Sequence, residues 1–97
     1  MSNYLLAYRG GSTPEGEAAQ QAVMTAWMNW FGELGDAVVD GGAPFGESGC
    51  VGGEATAGLT GYSVVRANDI ARAQALAAGC PILQSGGTVD VYEAIAM

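Results

Sequence analysis

Residues 4–8, Tyr-Leu-Leu-Ala-Tyr, constrain this chain more than any other stretch. They form a short apolar run with no polar face. Read as a strand, they put Tyr4, Leu6 and Tyr8 on one side and Leu5 and Ala7 on the other, because successive side chains alternate across a strand. A strand that is apolar on both sides belongs at the centre of a sheet with both faces covered. Whatever fold the chain adopts must therefore supply two covers.

The rest of the sequence supplies the first. Gly10 and Gly11 end the strand. Ser12 or Thr13 can cap a helix, Pro14 fits its first turn and Glu15 suits the positive end of its dipole. A helix is expected over residues 14–34, with Ala19, Val23, Trp27, Trp30, Phe31 and Leu34 as its buried stripe and Gly35 as its stop. Trp27 and Trp30 are read as core. A short strand follows at 37–39, ended by Asp40-Gly41-Gly42. Gly52-Gly53 suits a hairpin turn between short strands at 49–51 and 54–57. Residues 59–66 read as a strand. Asn68 is placed to cap a helix over 69–78 with Ile70, Ala73, Leu76 and Ala77 buried. Gly79 and Pro81 end it, and a last strand covers 88–95.

The order is β-α-β-β-α-β in a single domain over residues 1–97. It predicts an α+β fold, a ferredoxin-like two-layer sandwich with an antiparallel sheet. Right-handed crossovers put both helices on one face. The second cover must come from elsewhere, and a homodimer whose sheets meet face to face provides it. Charged residues are only 13 % of the chain and hydrophobic ones 49 %, which leaves a neutral surface consistent with self-association.

The charge balance excludes several classes. The net charge is −7, and Arg9, Arg66 and Arg72 are the only cations. Nucleic-acid binding needs clustered positive charge, so nucleic acid is not an expected partner. An anionic membrane surface is excluded on the same ground, and no apolar run reaches a spanning length. The opening residues lack a basic, signal-like pattern, and the expected location is the cytoplasm. There Cys50 and Cys80 are expected to be reduced and inert. With no histidine in the chain, no metal site and no cofactor are expected.

Several phrases, taken in order, carry a resemblance. They are the Tyr-Leu-Leu-Ala-Tyr opening, the Trp27 to Gly35 helix end, Gly42-Ala43-Pro44-Phe45-Gly46-Glu47, Thr60-Gly61-Tyr62-Ser63, Gly79-Cys80-Pro81, Gly86-Gly87-Thr88 and Val91-Tyr92-Glu93. Together they resemble YCII-related, or DGPF-type, domains over nearly the whole chain. The resemblance implies a ferredoxin-like subunit in a dimeric α/β barrel. Most members have no assigned function, and a few wider relatives handle small cyclic or chlorinated organic acids with a histidine and an aspartate. Two departures stand out. Gly42 and Ala43 replace the Asp-Gly of the name motif, and no histidine exists to complete a dyad.

Candidate site residues follow from side-chain chemistry. Asp36, Asp40 or Glu47 can act as a general base if a pocket surrounds it. Tyr8, Tyr62 and Tyr92 fall on predicted strands and can converge on one sheet face, with Phe45 nearby, to bind a small organic acid. Each has a plainer role. The acids suit turns and exposed loops, and the tyrosines suit a core or a dimer interface. The first functional reading is a binding or accessory module without a catalytic dyad. The alternative is an enzyme on small organic acids or lactones, with a carboxylate base and tyrosine donors. A third is a pure oligomerisation module, which would show a packed sheet and no pocket.

Overall fold

The computed structural model describes residues 1–11, 15–53 and 58–95. It is an α+β domain with a four-stranded antiparallel sheet in the order β2-β3-β1-β4. The strands are β1 (Ser2–Arg9), β2 (Val38–Pro44), β3 (Leu59–Ala67) and β4 (Thr88–Ala94), and the helices are α1 (Gly16–Leu34) and α2 (Ile70–Ala77). The apolar strand β1 is central, as its sequence demands. Element order and strand order agree with the expected ferredoxin-like arrangement.

Register assigns the faces, since directly paired residues project to the same side. Tyr4, Leu6 and Tyr8 pair with Val65, Ser63 and Gly61 on β3 and with Glu93, Val91 and Val89 on β4. This row packs with Trp30, Ala73, Ala77, Cys80 and Ile82 into the core beneath the helices. Leu5 and Ala7 pair with Val64 and Tyr62, and with Tyr92 and Asp90, on the helix-free face.

α1 is rich in strong helix formers such as Ala, Gln, Met and Leu. Its cap expected at Ser12 or Thr13, with Pro14, lies outside the described residues. The helix ends at Gly35 (φ 54°), whose N–H reaches the Phe31 carbonyl. It reaches the core through the aromatic residues of its second half. Trp30 is buried and its indole N–H donates to the Leu76 carbonyl of α2 at 3.2 Å.

Four local expectations are corrected. β2 does not end at Asp40 but runs on to Pro44, slipping register twice against β3. Residues 49–51 form no strand, and their expected partner at 54–57 lies outside the described residues. The cap of α2 is Asp69 rather than Asn68, with its Oδ1 accepting from the Arg72 N–H at 2.8 Å. Ile70 consequently sits in the first turn and is exposed, while Ala73 and Ala77 are buried.

Gly79 does follow α2, but its φ is not left-handed. An added Cβ there would lie 3.3 Å from the Trp30 indole. Glycine makes room for that ring, and the chain then turns at Pro81 into a 3-10 segment, Pro81–Ser85.

Candidate functional site

α1 overhangs the β2–β3 side of the sheet and leaves a cleft of ≈ 560 Å³ beneath it. The helical wall is Val23, Met24, Trp27, Met28 and Phe31. These positions recur with helical spacing, so one face carries them all. Trp27 is anchored edge-on against Tyr8, with ring centroids 5.2 Å apart, and lies 5.9 Å from Phe31. Met24 and Met28 extend past this anchor and are 64 % and 70 % exposed. The stripe therefore splits into an aromatic edge in the core and a thioether edge at the cleft mouth.

The opposite wall is backbone. It is made by Gly41–Pro44 on β2 and Thr60–Ser63 on β3. Gly42 has φ +75°, and a Cβ built there would fall 1.7 Å from the Tyr62 carbonyl oxygen. Only glycine permits that approach. Gly61 is similarly confined, by the Ala43 carbonyl at 3.1 Å and the Tyr8 ring at 3.5 Å. The two glycines allow β2 and β3 to form a closely apposed, side-chain-poor wall.

The floor holds a short polar chain. The Tyr8 hydroxyl donates to Ser63 Oγ at 2.7 Å, and Ser63 Oγ donates to the Gly41 carbonyl at 2.8 Å. Ser63 is fully buried and Tyr8 is 5 % exposed. Burial pushes the Tyr8 phenol above its ordinary range. Beside it the buried Cys80 thiol is pushed up to about 11, again mainly by burial. Both groups are neutral at neutral pH. Tyr8 can orient a polar atom in the cleft, Cys80 lies behind it and does not line the cleft, and neither is poised to take a proton.

The proposed carboxylates are elsewhere. Asp36 lies exposed on a 3-10 turn, Gly35–Ala37, after α1. Asp40 is exposed and braces the β2 bend, with Oδ1 accepting from the Gly42 N–H at 2.8 Å and Oδ2 from the Tyr62 hydroxyl at 3.4 Å. Glu47 is exposed beyond the end of β2. None of the three lines this cleft; Asp36 instead lines a separate, smaller hollow together with Arg66 and Arg72.

The tyrosines also separate. Tyr8 lies on the helix face at the cleft floor. Tyr62 and Tyr92 pair with Ala7 and Leu5 and project to the other side. Tyr62 gives the cleft its backbone while its ring stacks with Phe45 at 5.8 Å. Tyr92 is 54 % exposed. The expected convergence of three hydroxyls fails because an odd offset in cross-strand pairing reverses the face. Arg9 shares the helix-free face and pairs with Asp90 at 2.5 Å.

Trp30 is core, as read from the sequence, whereas Trp27 belongs to both core and cleft. The residues that sequence reasoning missed are Met24, Met28 and Ser63. The four-residue spacing of the methionines beside the Trp27 stripe was the available signal. Cys50 is exposed and Cys80 buried, and neither is in a disulfide. Among the described residues, no helix is long and apolar enough to cross a membrane. Comparison with protein-family models, with curated proteins and with solved structures finds no match for this chain.

Proposed function

We propose that this chain is a small homodimeric binding module of the YCII-related type, which holds a small organic molecule between α1 and the β2–β3 wall. The observation that carries the reading is the cleft itself. It has a volume typical of small-molecule sites and mostly apolar walls, with a few fixed polar atoms at its floor. A pure oligomerisation module has no use for such a space. The enzyme alternative loses support because Asp36, Asp40 and Glu47 all stand outside it.

The YCII-related assignment rests on the ordered phrases of the sequence and on the agreement of element order with what they imply. The homodimer is supported by the helix-free face. It carries Leu5, Ala7, Tyr62, Val64 and Tyr92, with Phe45 stacked at its border. Tyr92 and Phe45 keep about half their surface exposed, and a second sheet would cover them. A reducing cytoplasm suits two unpaired cysteines.

The test is a thermal-shift screen of a small-molecule library against the wild type and Val23→Trp, which fills the cleft from its helical wall. A binder at a hundredfold excess over its Kd adds about 2.7 kcal/mol of apparent stability. Hits that stabilise the wild type and not the folded variant are expected. Hits that stabilise both equally, or an absence of hits, would overturn the reading.

A further inference from the structure

We infer that the cleft selects an uncharged ring compound over the corresponding carboxylate or ammonium. The inference rests on the binding reading above and narrows its ligand class. It departs from the small organic acid that the family resemblance implies.

The first argument is charge. Among the described residues the cleft is lined by no aspartate, glutamate or arginine, and its titratable lining residues there are Tyr8 and Tyr62. An ionised ligand would shed water there without meeting a counter-charge, which is the costliest way to bury a charge. The chain also carries a net charge of −7, and that field opposes the approach of an anion. Arg9, the cation nearest the floor in sequence, lies on the opposite sheet face and pairs with Asp90.

The second argument is the hydrogen-bond inventory. A carboxylate needs donors. The Tyr8 hydroxyl already donates to Ser63, and Ser63 to the Gly41 carbonyl. Thr60 directs its hydroxyl at the Gly10 and Tyr8 carbonyls, at 3.3 and 3.4 Å. Among the described residues, the hydroxyls of Tyr8 and Ser63 at the floor and of Thr60 on the wall are thus committed, and an anion that recruits one of them would have to break one of these bonds.

The third argument is shape. One wall is the side-chain-poor peptide surface around Gly42 and Gly61, and the other is Trp27 and Phe31 flanked by Met24 and Met28. A slot between peptide planes and aromatic side chains suits a planar ring. The exposed thioethers can adjust to its outline, since methionine is unbranched and polarizable.

The experiment compares three isosteric probes by calorimetry at pH 7: 2-naphthamide, 2-naphthoate and 2-naphthylmethylammonium. The amide is expected to bind at least tenfold more tightly than either ion, with binding lost in Val23→Trp. Met28→Lys places a cation at the exposed mouth without touching the core, and it should raise naphthoate affinity severalfold. Naphthoate or the ammonium matching or exceeding the amide would overturn the inference and leave the binding reading standing. Failure of all three probes would also overturn it, while the library screen separately judges whether the cleft binds anything.

Discussion

The Tyr8 hydroxyl donates to Ser63 Oγ at 2.7 Å, joining residues 55 positions apart in the chain. Ser63 passes the chain on to the Gly41 carbonyl, so one serine satisfies groups on β1 and β2 together. Ser63→Ala should leave both without their partner and cost roughly 2–4 kcal/mol, whereas Tyr8→Phe removes one hydroxyl and should cost about 1 kcal/mol. Urea denaturation of both variants measures the difference. The double variant should cost less than the sum of the two, because the bond between them is lost only once.

Gly42 is irreplaceable for a reason that Gly41 does not share. The Cβ of an alanine at 42 would collide with the Tyr62 carbonyl, and its φ of +75° disfavours any side chain. At Gly41 nothing lies within 4 Å. Gly42→Ala should cost more than about 2 kcal/mol and disrupt the cleft wall. Gly41→Ala should stay within about 0.5 kcal/mol of the wild type. Thermal melts of the two variants side by side check this.

The buried thiol sets an alkaline limit. Cys80 has its pKa raised from an unfolded value of 9.0 to about 11. The folded state therefore holds its proton where the unfolded state releases it. The stabilising contribution is complete below pH 9 and is lost between about pH 9 and 11, with the raised Tyr8 adding to the loss at still higher pH. No lysine titrates in this range to mask the effect. Denaturant midpoints from pH 8 to 11 should fall in the wild type and fall less steeply in Cys80→Ala. Equal slopes would count against the assignment.

The sheet was legible in the sequence because its central strand had no polar side to offer. The order of the strands then followed from connection rules. What escaped was decided by register and by glycine. Tyr62 and Tyr92 face away from Tyr8 because their pairing with Ala7 and Leu5 is fixed between strands, beyond the reach of any local pattern. β2 reads as ending at Gly41-Gly42, since glycines ordinarily break strands, yet Gly42 is the residue that lets β2 approach β3. The cleft was hidden for a related cause. Helical spacing showed that α1 has one apolar stripe, but not that Trp30 would anchor only one end of it and leave Met24 and Met28 exposed.

Self-association is expected through the helix-free face. Sedimentation equilibrium at micromolar concentration should give a mass near twice the 9.8 kDa of one chain. Tyr92 is 54 % exposed and lies outside the core, so Tyr92→Arg should leave the fold intact while shifting the mass toward that of a monomer. A wild type that sediments as a monomer would remove the second cover proposed for β1.

The two tryptophans offer the most direct measurement on the cleft. Trp27 lines it and Trp30 does not. In protein labelled with 5-fluorotryptophan, fluorine NMR should give two resonances, assigned with Trp27→Phe. Saturation with a library hit should move the Trp27 resonance and leave that of Trp30 nearly in place. A hit that moves neither resonance, or moves only Trp30, would contradict the account and place the ligand somewhere other than beneath α1.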